Sequence, residues 1–216
     1  MEQVNSDNKT SGLNHQKHWD NAYTKTPIEK LGWYEDDLSP TLGLLQKTTV
    51  SKTDKVFIAG VGSTTLVDAL LKNNYSNITA TDISPVSIAN LVTRIGSNAI
   101  ETIVDDLANP IHLTQMESID LWIDRAVLHF LIDAKDQKTY FDLLKHKVKS
   151  GGFVLLAEFG VGGAIKCCGL PIQPYTNKQF TTQLGTDFSL LETFNHVYHN
   201  PNGDPRKYIY SLFKRS

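Results

Sequence analysis

The sequence has little cysteine. Its 216 residues include two cysteines, Cys167 and Cys168, which are adjacent. Neighbouring cysteines rarely bridge each other, and a disulfide framework needs further pairs, so we expect no disulfide. Two thiols are also too few for a structural zinc site of four ligands, and we expect no bound metal. This usage of cysteine favours a reducing compartment, so we expect a cytoplasmic protein.

Long apolar runs and a strong net charge are also missing. No uninterrupted apolar segment approaches the length of a membrane span, and the opening residues lack the apolar centre of a signal peptide. The formal net charge is -2, which gives no basic footprint for a nucleic acid. We therefore expect neither a membrane nor a nucleic acid as a partner.

The length and composition are typical of a single globular domain. The chain is 40% hydrophobic and 20% charged, which is ordinary for such a domain. Polar residues without periodicity predict a flexible tail over residues 1–14. The single domain is then expected over residues 15–216, with an N-terminal helical cap over residues 15–50 and an α/β core over residues 51–216.

Short apolar strands and helical segments alternate along the core. The strands are nearly continuous apolar runs, which is typical of a parallel sheet covered by helices on both faces. Two further strands follow near the end of the chain, joined by a turn over residues 200–204, and we expect them to pair antiparallel. The pattern predicts a Rossmann-like, doubly wound, seven-stranded mixed sheet with a C-terminal antiparallel hairpin.

A glycine-spaced turn and a carboxylate form half of a nucleotide-binding unit. Gly60, Val61 and Gly62 follow the first strand, where a backbone must approach a ligand closely. Asp82 ends the second strand, where an ionised acid can accept two hydrogen bonds from a ribose diol. The alternative is that Asp82 caps the next helix, although Ser84 already suits that position.

The order of motifs resembles the class I S-adenosylmethionine-dependent methyltransferases. The resemblance rests on VFIAGVGSTT (residues 56–65), TATDIS (79–84), IVDDL (103–107), DLWIDRAVLHF (120–130), VKSGGFVLLAEF (148–159) and the N-terminal segments HWDNAY (18–23) and LGWYEDD (31–37). It implies S-adenosylmethionine as cofactor, bound by the glycine turn, with Asp82 on the ribose and Ile83 against the adenine.

The resemblance also implies contacts from the third and fourth strands. Asp106 would accept from the adenine amino group and the backbone of Leu107 would meet a ring nitrogen, whereas Asp105 could equally be solvated. Asp124 and Arg125 would border the cofactor, or hold the strand end as an ion pair. His129 is the candidate general base, although buried histidines without a catalytic role are common.

The N-terminal aromatic residues and one missing acid complete the comparison with that family. Trp19 and Trp33 would cover the cofactor, or pack the cap onto the sheet. The family usually carries an acid two residues before the first glycine, where this chain has Ile58. Another carboxylate or a backbone carbonyl would have to replace that acid.

The resemblance implies methyl transfer to a small-molecule acceptor, with a thiol among the candidates. Cys167 and Cys168 could handle a thiol or a soft metalloid, or be small buried residues of a loop. The alternatives are a protein lysine methyltransferase, favoured by the N-terminal segments, and a weakly active adenosyl-binding protein, favoured by Ile58. A nicotinamide dehydrogenase is disfavoured by the terminal hairpin.

Overall fold

The computed structural model describes residues 4–216, with side chains from Asn14 onward. Its strands are β1 (Val56–Ala59), β2 (Ile78–Asp82), β3 (Glu101–Val104), β4 (Ile119–Arg125), β5 (Val148–Phe159), β6 (Lys166–Cys167), β7 (Leu170–Pro171), β8 (Phe188–His199) and β9 (Pro205–Arg215). Its helices are α1 (Val4–Lys25), α2 (Ser39–Leu45), α3 (Leu66–Lys72), α4 (Pro85–Ile95), α5 (Ala134–Lys147) and α6 (Asn177–Leu184), with short 3₁₀ turns at Ile28–Lys30, Leu113–Gln115 and Leu128–Phe130.

Seven strands form one mixed sheet in the order β3-β2-β1-β4-β5-β9-β8, and β6 pairs with β7 separately. Strands β1 to β5 run parallel, while β9 is antiparallel to both β5 and β8. The predicted seven-stranded mixed sheet with its terminal hairpin is therefore confirmed. The strand order reverses between β1 and β4, which creates the crevice where open α/β sheets bind ligands.

Both faces of the sheet are buried, as the apolar strands predicted. Phe57 and Trp122 pack in one cluster, whereas Ile58 and Ile123 pack in a second. All four side chains are buried. Because neighbouring residues of a strand point to opposite faces, each apolar strand supplies both clusters at once. The rigid central strands hold their carboxyl ends, and the loops that follow them, in fixed positions.

Three elements differ from the expectation. Helix α1 begins at Val4 and continues across the expected tail boundary at residue 14. Its first half was not predicted, because that polar segment has no apolar periodicity. Residues 1–3 of the expected tail lie outside the described residues, and the domain boundaries stay predictions. Helix α6 was not predicted, although Thr176 and Gln179 form a capping box at its start. The third is the hairpin β6–β7, in a segment expected to be an irregular connection.

None of the helices described over residues 4–216 is long and apolar enough to cross a membrane.

Candidate active site

One cavity lies over the carboxyl ends of the parallel strands. Loops after β1, β2, β3 and β4 form its walls, and α1 and the segment around Trp33 lie over it. The structure brings eleven of the sequence-predicted site residues to this cavity: Trp19, Trp33, Gly60, Val61, Gly62, Asp82, Ile83, Asp106, Leu107, Arg125 and His129. The crevice predicted from the strand pattern thus contains almost the whole predicted set.

The glycine turn is a close-packed loop with no room for a side chain at Gly60 or Gly62. Gly60 and Gly62 have φ angles of 58° and 48°, in the left-handed region that favours glycine. A Cβ atom at Gly60 would lie 2.1 Å from Cγ2 of Val127, and one at Gly62 would lie 2.8 Å from the hydroxyl of Tyr23. The backbone of the turn therefore forms the cavity wall directly.

Asp82 fixes this turn and borders the cavity at the same time. Its carboxylate accepts hydrogen bonds from the backbone N–H of Gly62 at 2.8 Å, the N–H of Ser84 at 2.9 Å and the hydroxyl of Ser87 at 3.1 Å. Burial raises its pKa to about 6, although these hydrogen bonds oppose that shift. Since a carboxylate has about four acceptor positions, one remains for a ligand.

Ser84 caps α4, as its position before Pro85 predicted. Its hydroxyl oxygen accepts from the backbone N–H of Ser87 at 3.2 Å and donates to Asp20 of α1 at 2.5 Å. Asp82 is therefore not the residue that caps the helix. The contact with Asp20 also ties the covering helix to the ribose side of the cavity.

The two acids after β3 have different surroundings. The Asp105 carboxylate accepts from the backbone N–H groups of Asp106, Ile111 and Leu113, so it holds the loop together. Asp106 accepts one backbone hydrogen bond, from Ala108 at 2.8 Å, and burial raises its pKa. Asp106 keeps acceptor positions for a ligand, which agrees with the preference for it over Asp105.

Asp124 is the predicted site residue that does not reach the cavity. Side chains alternate along β4, so Ile123 and Arg125 line the cavity while Asp124 points to the other face. Its carboxylate accepts from the backbone N–H of Val127 at 3.1 Å and from the hydroxyl of Tyr140 at 2.6 Å. This fully buried acid shapes the turn after β4.

Arg125 pairs with an acid that sequence reasoning did not select. Its Nε lies 2.8 Å from Oε1 of Glu35, which is 3% exposed, and the hydroxyl of Tyr210 lies 3.3 Å from the same oxygen. Burial raises the pKa of Glu35 and the Arg125 charge opposes that shift. Glu35 and Ile58 both line the cavity, so a carboxylate from the N-terminal segment LGWYEDD stands where β1 supplies none.

Four buried polar atoms in the cavity wall have no protein partner among the described residues. They are Nε1 of Trp33, Oγ of Ser63, Nη2 of Arg125 and Nε2 of His129. Buried polar groups are normally hydrogen-bonded, so these atoms mark a place for a polar ligand. Together with the glycine turn and Asp82, they suit a molecule with a ribose and a charged amino-acid end.

Aromatic side chains form the roof of the cavity. The Trp19 ring lies 6.2 Å from Tyr23, 5.4 Å from Trp33 and 5.0 Å from Phe130, measured between ring centroids. Tyr23 also packs against Trp33 at 5.8 Å. Tyr23 was not predicted as a site residue, although its i, i+4 spacing from Trp19 placed both on one helix face. The roof joins α1 to the turn after β4.

A buried histidine in the cavity wall is paired with a carboxylate behind it. Nδ1 of His129 lies 2.6 Å from Oε2 of Glu158, and both side chains are fully buried. Burial is the largest effect on the pKa of His129 and lowers it, but Glu158 and Cys167 together outweigh burial, so the pKa is raised. With Nδ1 donating to the carboxylate, Nε2 presents its lone pair. Glu158 was missed, although an acid in the apolar run FVLLAEF was a usable signal.

Cys167 lies against this pair and lines the cavity. Its sulfur is 3.5 Å from that of Cys168. Hydrogen bonding with Cys168 lowers the pKa of Cys167, and the contact with His129 acts in the same direction against the effect of burial. This part of the wall thus presents a thiol and an imidazole, with the Glu158 carboxylate behind the imidazole.

Comparison with known proteins gives this geometry a family. A solved structure of an S-adenosylmethionine-dependent methyltransferase from Anabaena variabilis superposes with a TM-score of 0.77 at 13% identity, covering 95% of each chain. The family model described as a methyltransferase domain matches residues 58–156. Residues 58–156 therefore carry a methyltransferase domain, and the fold is that of the class I S-adenosylmethionine-dependent methyltransferases. Two further solved methyltransferases of this fold were determined with S-adenosylhomocysteine bound and with S-adenosylmethionine bound, and S-adenosylmethionine is the cofactor that the motif order had implied for this chain.

Curated relatives of this methyltransferase include enzymes that act on a protein. It is 25% identical over 164 residues to EEF1A lysine methyltransferase 2 of mouse, covering 68% of this chain and 66% of that protein. The human EEF1A lysine methyltransferase 2 is 24% identical over 198 residues, covering 84% of this chain and 77% of that protein. The similarity spans the cofactor half-site and extends beyond it.

Proposed function

We propose that this methyltransferase transfers the methyl group to a nucleophilic atom of a small-molecule acceptor, with a thiol among the candidates. The observation that carries this proposal is the aromatic roof formed by Trp19, Tyr23, Trp33 and Phe130 over the cavity. A roof that packs on both a helix and a strand-end turn covers the cavity from that side. Covered sites suit small ligands and help to exclude water.

The adenosyl end of the cofactor is assigned to the loops after β1, β2 and β3. Asp82 accepts from one ribose hydroxyl, since it retains one acceptor position next to the glycine turn. Ile83 packs on the adenine, and Asp106 with the N–H of Leu107 contacts its polar edge. The placement of all four residues in the cavity wall supports these roles.

The amino-acid end of the cofactor is assigned to Arg125 and Glu35. The unpartnered Nη2 of Arg125 donates to the carboxylate, and the Glu35 carboxylate attracts the ammonium group. Glu35 thereby takes over the task of the acid that Ile58 replaces. Because both charges are buried, the pair gains a zwitterionic ligand without leaving either charge alone.

The chain has a modest chemical task, because the cofactor supplies a methyl group already activated on a sulfonium sulfur. The aromatic roof excludes water and the walls hold the acceptor in line with that methyl. His129 accepts the acceptor's proton at Nε2, which has no protein partner among the described residues. Glu158 orients the ring and stabilises the imidazolium that forms.

The test is formation of S-adenosylhomocysteine with panels of small thiols, amines and hydroxyl compounds. We expect turnover with at least one small acceptor, and loss of that turnover in His129→Gln. Turnover confined to a protein acceptor would overturn the small-molecule proposal. Cofactor binding without turnover on any acceptor would instead favour the weakly active adenosyl-binding protein.

A protein lysine is the second candidate acceptor, favoured by the similarity to EEF1A lysine methyltransferase 2. An aromatic roof is also compatible with a lysine amine, since aromatic rings attract ammonium groups. Radiolabelled methyl transfer to purified elongation factor 1A, followed by mapping of the modified residue, tests this candidate. Label on a lysine at a rate above that of every small acceptor would establish it.

A further inference from the structure

The small hairpin β6–β7 holds the two thiols next to each other. Cys167 pairs with Leu170, so the turn between the strands contains only Cys168 and Gly169. Both turn residues have positive φ angles, 53° and 80°. Two-residue hairpin turns of this kind normally carry Asn, Asp or Gly, because φ is positive at both positions.

Cys168 therefore occupies a position that its own backbone preference does not explain. A non-glycine residue in the left-handed region is uncommon, and residues held in such conformations cluster at functional sites. The turn brings the two sulfur atoms to 3.5 Å from each other. Both residues are half-buried, so reagents can reach them.

A second observation comes from the wall behind the hairpin. The Cys167 thiol lies against the fully buried His129, whose Nδ1 is paired with Glu158. Cys167 also lines the cavity, which places the thiol pair at its edge. The pair is therefore part of an accessible site and is not buried in the apolar core.

We propose that Cys167 and Cys168 form a dithiol site that binds a trivalent, thiophilic metalloid compound of the arsenical class. Thiolates are the soft ligands that such elements prefer. In the reaction with an organic arsenoxide, two As–S bonds form and the As–O bonding is broken. The oxygen leaves as water with both thiol protons, and no atom changes its oxidation state.

The number of ligands favours such a compound over a metal ion. Zinc, the commonest metal ion at cysteine sites, is bound by three or four protein ligands. Within the described part of the chain, no three His, Cys, Asp or Glu side chains are placed to hold a metal ion. A trivalent arsenic with one carbon substituent needs two sulfur atoms only, which is the number that this turn provides.

The experiment uses the full chain and phenylarsine oxide, with intact mass spectrometry and a count of free thiols. We expect one phenylarsenic group per chain and the loss of both thiols. Because two bonds hold the group, removal by a monothiol should need about 100-fold more reagent than in a single-cysteine variant, whereas a small dithiol removes the group readily. The variants are Cys167→Ser and Cys168→Asn, and Asn suits the turn so that the hairpin is kept.

Two results would overturn the dithiol site. In the first, either variant keeps an adduct as resistant to monothiol as that of the wild type. In the second, the wild-type adduct is removed by monothiol as easily as the adducts of the variants. Thermal unfolding confirms that the variants are folded. The binding assay needs neither cofactor nor turnover, so its failure is separate from a failure of methyl transfer.

Discussion

The proposed adenosyl side and the proposed acceptor side of the cavity are built in contrasting ways. On the adenosyl side, Asp82 is hydrogen-bonded to the backbone of the glycine turn and to Ser87, so the loop is fixed before any ligand arrives. On the proposed acceptor side, the His129 ring is paired with Glu158 through Nδ1, and the Cys167 thiol lies against the same ring. The first side is organised for binding and the second has free chemical groups.

This difference predicts that substitutions on one side change cofactor affinity, whereas substitutions on the other side change turnover. Changes on the adenosyl side should weaken cofactor affinity and leave turnover at saturating cofactor largely intact. Changes on the acceptor side should lower turnover and leave cofactor affinity intact. Single substitutions on each side test whether cofactor affinity and turnover change independently.

Replacing the candidate base should have the largest effect. His129→Gln should lower kcat by about 100-fold or more, the usual range for a lost general base, with an unchanged Kd for S-adenosylmethionine. Formation of S-adenosylhomocysteine gives kcat and calorimetry gives Kd. His146→Gln, on the exposed face of α5, is the matched control. Equal kcat values for the two variants would remove His129 from the mechanism.

Adding a methyl group to the glycine turn should have the next largest effect, on the other side of the comparison. Gly60→Ala should weaken cofactor binding by about 10- to 100-fold, because it adds left-handed strain and a clash with Val127. Gly96→Ala is the control, since Gly96 has a φ of 95° with no atom near the added Cβ. If Gly96→Ala weakens cofactor binding as much as Gly60→Ala does, backbone strain and not the clash at the cavity wall explains the loss of affinity.

The pH dependence of binding should report on Asp82. Its raised pKa means that the carboxylate is ionised above about pH 6 and protonated below it, so a bond accepted from ribose is present above that value and lost as the pH falls. Cofactor affinity should be about tenfold weaker at pH 5 than at pH 7. Asp82→Asn should bind weakly at both values, and an unchanged slope in this variant would assign the titration to another group.

The smallest effect is expected at the amino-acid end of the cofactor. Glu35→Gln removes the charge that attracts the ammonium group but keeps an oxygen for Arg125, so affinity should fall by only about threefold to tenfold. Asp36→Asn, at the exposed neighbouring acid, is the control. Calorimetry at low and high salt compares them. Equal cofactor affinities of Glu35→Gln and Asp36→Asn would mean that a group other than Glu35 replaces the acid missing from β1.

Much of the fold could be predicted because its signals are local. Continuous apolar strands such as Val56–Ala59 predict a sheet buried on both faces, and the turn at residues 200–204 predicts the terminal hairpin. Helix α6 and hairpin β6–β7 were not predicted, since both are short and polar on one side. The position of α6 depends on its packing against α5 and β8 and not on periodicity.

The two sides of the site differ in the same way. Gly60, Gly62 and Asp82 lie within one βαβ unit, so their spacing alone indicates a shared site. Glu35 meets Arg125, and His129 meets Glu158, only through the fold, because each pair is far apart in sequence. A sequence can show that Glu158 is an acid in an apolar strand, but not which side chain it contacts.

Calorimetric titration of S-adenosylmethionine at neutral pH tests the central claim most directly. That claim is that the crevice beside Asp82 is the cofactor site of a class I methyltransferase. We predict that the wild-type chain binds one molecule and that Asp82→Ala binds it much more weakly while remaining folded. No binding by the wild type at millimolar cofactor, or equal binding by the two proteins, would contradict the account.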